Sequence, residues 1–286
     1  MAEMAGSHLG SHLVEADSAV IRVLWAPARA AADHRSEMVT QWLCGERVRV
    51  LERLGEWVRA RGEDGYAAWV PESAAIKSDA ADPWLADAWS LGVSVLGPDG
   101  ARGYLPWGAR VQRSKGTLLV LPSGTILQPE DPTAIVPVAE LHDRFPPDPA
   151  SIVETARGWK GVPYVWGGRT NTGCDCSGFV QAVLAVHGVA LPRDSAQQAE
   201  SGTPASGFRL SSSELAPACL IFFAPEGEGI THVAMSTGGT GIIHCSATRG
   251  VVMEDDLSAD GELERMLRES IVTATTRSGS DGPRRF

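Results

Sequence analysis

The chain of 286 residues is predicted to be α+β, with two small all-β modules ahead of a larger C-terminal unit. Three observations carry that expectation. Residues 18–75 hold short runs in which apolar and polar residues alternate, the period of half-buried strands. Residues 90–137 carry a weaker copy, with Gly108 and Val111 standing where Gly45 and Val48 stand in the first. After the Pro-rich "RFPPDPAS" (Arg144–Ser151) the composition turns helix-forming, and a few helices are followed by a run of strand-like segments.

In chain order, residues 1–17 read as a tail. "MAEMAGSHLGSHLVEAD" has no basic segment followed by an apolar one, so no secretory signal is expected, and His8 and His12 read as tail residues. The first module, residues 18–78, contains "AVIRVLWAP" and then "GERVRVLERLGEWVRARGEDGYAAWVPES", where Asp64-Gly65 supplies a tight turn. The second module, residues 79–143, centres on "WGARVQRSKGTLLVLPSGTILQPED". Residues 144–286 form the third unit: the helix-forming "SIVETARGWKG", the loop "VPYVWGGRTNTGCD", a helix from Cys176 to His187 and a polar segment. The strands "ACLIFFA", "ITHVAMSTG", "GIIHCSA", "GVVMEDD" and "ESIVTATT" follow.

Composition narrows the function. With 43% hydrophobic and 21% charged residues, and no apolar run near the roughly 20 residues of a membrane span, the chain reads as soluble and globular with no membrane partner. A net charge of −10 disfavours nucleic acid, because phosphate binding depends on clustered Lys and Arg. Five cysteines, an odd number, argue against a disulfide framework and for a reducing compartment, so the expected location is cytoplasmic.

The chemistry centres on "NTGCDCSGFVQAVLAVHG" (Asn171–Gly188). Phe179, Val180, Val183, Leu184 and Val186 form an apolar helical face and Gly188 provides the stop, which places Cys176 in the first turn. There the unpaired N–H groups and the positive end of the helix dipole favour a thiolate, making Cys176 a candidate nucleophile. A thiolate needs a base, and the base needs an orienting acceptor. His232 in "THVAM" and His244 in "IIHCS" lie twelve residues apart across the Gly-rich "TGGTG", a distance that fits adjacent antiparallel strands. His232 would pair with Cys176, and His244 would hold the far ring nitrogen of His232 and fix its tautomer.

These residues resemble the NlpC/P60 family of papain-like cell-wall peptidases: "DCSGFV", then "HVAM", then "IIH", with "PYVWGG" before the cysteine and "PRDSAQQ" after it. The resemblance covers roughly residues 150–286, and the "GE…V…WV…GY..WV" pattern of the first module resembles bacterial SH3-type domains. It implies a papain-like α+β catalytic domain behind two SH3-like β-barrels. It also implies Cys176 as nucleophile, His232 as general base and His244 as third member, with the Cys176 backbone and the Tyr164 phenol at the oxyanion. No metal or organic cofactor is implied.

The paired SH3-like domains resemble those of γ-D-glutamyl-L-diamino-acid endopeptidases, which cleave stem peptides with a free N-terminal L-alanine, here expected to come from wall recycling. The implied partner is a small muropeptide, L-Ala-γ-D-Glu-diamino acid. Asp194 of "RDS" is the strongest carboxylate for its ammonium and Ser177 can bond its backbone. Tyr66 and Glu37 are the choices from the first module, with Trp69 or Glu46 as replacements for either.

Other readings stay open. Asp194 can be a helix cap, Tyr66 can simply pack, and Tyr164 and Trp166 can be core aromatics. Cys174 with Cys176 lacks the second Cys/His cluster of a zinc site and is not C-x-x-C, so Cys174 reads as a bystander; Cys44, Cys219 and Cys245 read as buried hydrophobes. His34, His142 and His187 have no partner pattern. The same triad would also support amidase or acyltransferase chemistry, and an inactive muropeptide-binding protein is the rival of a different class. One departure stands out: the strand that the family usually introduces with Gly-Asp is introduced here by Ala218-Cys219.

Overall fold

The computed structural model describes residues 18–78, 84–205 and 215–276. The tail assigned to residues 1–17, with His8 and His12, lies outside the described residues.

The first module is a seven-stranded antiparallel sheet, in the order Met38–Leu43, Trp25–Arg29, Ala67–Pro71, Trp57–Gly62, Arg47–Leu54, Ser18–Ile21 and Ala75–Lys77. Alternation places Ala26, Ala28, Trp42, Val58, Ala60 and Val70 on its inner face. The second module is a five-stranded sheet built on the long pair Ala88–Leu96 and Arg102–Arg113. Ile126–Pro129 pairs with both Leu119–Val120 and Ala88–Leu96, which closes the sheet on itself.

The internal echo has a structural meaning. Gly45 and Gly108 both adopt left-handed backbone, at φ 78° and 90°, and the two modules meet there. The Arg110 N–H donates to the Cys44 carbonyl at 2.8 Å, and a Cβ on Gly45 would lie 2.3 Å from the Arg110 carbonyl oxygen.

In the third unit a six-stranded antiparallel sheet runs Thr203–Pro204, Ile271–Thr276, Leu220–Phe223, His232–Gly238, Gly241–Ser246 and Val251–Asp256. The helix Cys176–Val186 packs on it, burying Phe179, Val180, Val183 and Leu184 against Leu220, Phe222, Val233 and Ile243. The nucleophile candidate is thereby held at the helix start beside the strand that carries His232. Sequence reading expects only strands after Cys219, whereas Glu262–Ser270 is a helix. Its Leu263 and Leu267, four residues apart, are buried in the core and its other face is mostly charged, an amphipathic pattern that was readable in the sequence.

Both β modules dock on this unit. The Trp107 indole donates to the Ala182 carbonyl at 3.2 Å, and Asn171 accepts from the Trp107 N–H at 3.1 Å while donating to the Tyr104 hydroxyl at 2.7 Å. From the first module, Gln41 accepts from the Arg169 N–H at 2.9 Å and Glu46 pairs with the Arg169 guanidinium.

Candidate active site

Cys176 opens its helix because Asp175 caps it, accepting from the Gly178 N–H at 2.7 Å. The other Asp175 oxygen accepts from the Gly167 N–H at 2.9 Å, tying the "WGG" loop to the helix start. Arg193, only 1% exposed, clasps Asp175 at 3.0 and 2.6 Å. It also donates to Ser177 at 2.9 Å and to Thr40 of the first module at 3.0 Å.

Burial pushes the Cys176 thiol up to about 12, and the Asp175 charge adds to this. The positive helix end that should favour a thiolate is already occupied by the Asp175 carboxylate, so the expectation of a lowered thiol pKa is corrected. The Cys176 sulfur lies 4.0 Å from the carbonyl oxygen of Thr231, the residue before His232.

His232 and His244 sit on adjacent strands, and their rings meet through His232 Nε2 and His244 Nδ1 at 2.7 Å. Burial, followed by the neighbouring His244, holds the His232 imidazole down at about 3, so it is a neutral proton acceptor in the resting cleft. Cys176, His232, His244 and Tyr164 line one cleft of about 440 Å³. Burial and the nearby Cys176 raise the Tyr164 phenol above its usual value, keeping it a hydrogen-bond donor.

Asp194 occupies the N-cap position of the helix Ser195–Ser201, yet its side chain makes no capping hydrogen bond. The carboxylate is half-buried and its pKa is raised, chiefly by burial. Tyr66 is half-buried too; burial raises its phenol first and the Asp194 charge second, and the Glu37 and Asp64 charges act in the same direction. Tyr66 also packs against the first module's core. Glu37 accepts from the exposed Trp166 indole across the domain boundary. Ser177 is buried and engaged: its hydroxyl donates to Asp175 at 3.2 Å and accepts from Arg193. Of the replacements, Glu46 is consumed by Arg169 and by the Leu43 N–H, and Trp69 lies half-buried in the strand Ala67–Pro71.

Cys174 is buried in the core, its sulfur 3.6 Å from that of Cys245. Among the described residues no group of three or more His, Cys, Asp or Glu is placed to hold a metal.

Sequence reasoning missed Asp175 and Arg193. Asp175 stands directly before the helix in "DCSG", the position where Asp is a preferred cap, and that signal was readable. Nothing in the sequence announced that Arg193 would be buried under Thr40.

The chain matches the family model described as NlpC/P60 family over residues 161–270, and the model for the bacterial dipeptidyl-peptidase Sh3 domain over residues 28–74. It is 32% identical over 132 residues to the probable endopeptidase NlpC of Escherichia coli, a match covering 42% of this chain and 82% of that protein. The chain belongs to the NlpC/P60 family. As a member it is a cysteine peptidase with an SH3-like N-terminal region. A longer match, 28% identical over 252 residues, spans 80% of this chain and 73% of the γ-D-glutamyl-L-lysine dipeptidyl-peptidase of Bacillus cereus. The crystal structure of an NlpC/P60 family protein from Bacillus cereus superposes with a TM-score of 0.71 at 20% identity, covering 91% of this chain and 99% of that one, which establishes a shared NlpC/P60 fold.

Proposed function

We propose that this peptidoglycan peptidase hydrolyses the γ-D-glutamyl–diamino acid bond of stem peptides that carry a free N-terminal L-alanine. The observation that carries the reading is the Asp194 carboxylate, half-buried near Tyr66 and free of the capping bond its helix position offers it. A partly desolvated carboxylate whose charge is felt by a phenol suits an ammonium, and Asp194 follows Arg193, which bonds Ser177 on the nucleophile's helix.

In the reaction, Cys176 attacks the γ-carbonyl carbon of D-glutamate as its proton passes to His232. The Cys176 N–H and the Tyr164 phenol meet the oxyanion. His232 then gives the proton to the leaving amine, and a thioester remains on Cys176. Water deprotonated by His232 hydrolyses it, releasing L-Ala-γ-D-Glu and the free thiol. His244 orients His232 throughout, through the 2.7 Å contact.

The relative named as a γ-D-glutamyl-L-lysine dipeptidyl-peptidase supports L-lysine or a similar diamino acid as the leaving residue. Five free thiols support work in a reducing compartment, hence cytoplasmic recycling of wall peptides. Fractionation that recovers the native protein outside the cell would remove this part of the reading.

The test is incubation with L-Ala-γ-D-Glu-L-Lys, its meso-diaminopimelate analogue and the N-acetylated forms, followed by mass spectrometry with Cys176→Ala as control. Release of L-Ala-γ-D-Glu from the free forms alone is expected. Cleavage of acetylated forms at equal rates would remove the ammonium site from the reading, and cleavage of none would turn it towards another acyl substrate.

A further inference from the structure

The strand Val251–Asp256 ends in three consecutive acidic residues, and their side chains have three different surroundings. Glu254 pairs with Arg157 and Lys160 near the surface. Asp256 is exposed and accepts from the Ser258 N–H and hydroxyl. Asp255 alone of the three turns inward, its side chain 7% exposed, and meets His244 Nε2 at 2.8 Å. The register explains why: Ile242 lies opposite Asp255 and His244 opposite Met253, so alternation puts His244 and Asp255 on one face of the paired strands. Burying a carboxylate is costly without a donor, and the donor available here is the His244 ring.

We propose that Asp255 is a positioning residue of the catalytic centre, fixing through His244 the tautomer in which His232 can take the Cys176 proton. The inference rests on the roles proposed above for Cys176, His232 and His244. Its logic is a chain of single protons. The Asp255 carboxylate only accepts, so His244 carries its proton on Nε2. That leaves a lone pair on His244 Nδ1, which at 2.7 Å accepts from His232 Nε2–H. His232 Nδ1 is then the unprotonated nitrogen, free to accept from the thiol. When His232 becomes an imidazolium, the negative charge two rings away stabilises it at the moment the proton moves.

An amide at position 255 can reverse the chain. If Asn donates to His244 Nε2, the His244 proton moves to Nδ1, His232 must accept at Nε2, and His232 Nδ1 carries a hydrogen aimed at the sulfur. The base is then disabled with the geometry intact.

The experiment compares Asp255→Asn and Asp255→Glu with Cys176→Ala, His232→Ala and His244→Ala. Two readouts are taken: steady-state kinetics on L-Ala-γ-D-Glu-L-Lys and histidine nitrogen NMR. For Asp255→Asn, kcat is expected to fall about a hundredfold with KM changed by less than about threefold, the signature of a lost base with intact binding. Asp255→Glu, which keeps the carboxylate, is expected to recover at least about tenfold of that loss. NMR is expected to show His232 and His244 protonated on Nε2 in the wild type and on Nδ1 in Asp255→Asn.

Unchanged tautomers in Asp255→Asn overturn the proposal, as does a kcat within about twofold of wild type while His232→Ala and His244→Ala are inactive. If His232→Ala or His244→Ala stays active while Cys176→Ala is dead, the triad reading fails instead. The tautomers are read from folded protein whether or not this peptide is the substrate.

Discussion

Replacing Arg193 by Met tests the most deeply buried guanidinium, ammonium or carboxylate among the described residues. The guanidinium makes two hydrogen bonds to Asp175, one to Ser177, one to Thr40 and one to the Gly168 carbonyl, and it is 1% exposed. Removing one partner of a buried pair costs about 3–5 kcal/mol, because the other charge stays desolvated. Asp175 would keep its donors from Gly178, Gly167 and Ser177, at 2.7, 2.9 and 3.2 Å, so the low end, about 3 kcal/mol, is expected for Arg193→Met. The assay is urea unfolding of wild type, Arg193→Met, Asp175→Asn and the double variant. The double variant should lose less than the sum of the singles, because it buries no orphaned charge. A second readout is alkylation of Cys176. The Arg193 charge lowers the thiol pKa and the Asp175 charge raises it, so Arg193→Met should slow alkylation at mildly alkaline pH and Asp175→Asn should speed it. A stability loss below about 1 kcal/mol, or strict additivity in the double variant, would refute the reasoning.

Asp194→Asn should lower kcat/KM on peptides with a free N-terminal amine by about tenfold to a hundredfold, the worth of a charged hydrogen bond. Its effect on N-acetylated peptides should be small, as competition kinetics would show. Ala218→Gly should stabilise the fold by about 1 kcal/mol in thermal or urea melts, because φ of 63° at Ala218 lies in the left-handed region that a Cβ disfavours. Stability should also fall in acid. Burial lowers the folded pKa of His187 and holds that of His232 at about 3, below the unfolded value near 6.5. The unfolded chain therefore binds more protons, and stability present above pH ~6.5 is lost as pH drops towards 3. His187 is held neutral between the Pro146 carbonyl at 2.8 Å and the Thr155 hydroxyl at 3.0 Å, so His187→Asn should flatten part of that decline in Tm against pH.

Much of the architecture was legible because it is local. Alternation in "GERVRV" and "EWVRA", the doubled Gly-x-x-Val spacing, the Pro-rich punctuation before Ser151 and the apolar face of the Cys176–Val186 helix are patterns within a few residues of one another. The departure at Ala218 was legible too, although only the backbone showed that the turn keeps a glycine-like conformation with an alanine in it. That Cys176, His232 and His244 would meet in one cleft could be read from an order of residue types along the chain.

By itself the sequence determined which residues carry reactive groups and, the helix Glu262–Ser270 apart, most of the strands and helices, since both depend on side-chain chemistry and short-range periodicity. The tertiary structure decided their electrostatics and partners. Burial and Asp175 raised the Cys176 thiol that a helix start alone would lower, and Arg193 reached back 153 residues to Thr40. A strand register turned Asp255 inward to His244 while its neighbours faced outward. These outcomes depend on which surfaces are taken out of water together, and that is settled only when distant segments pack.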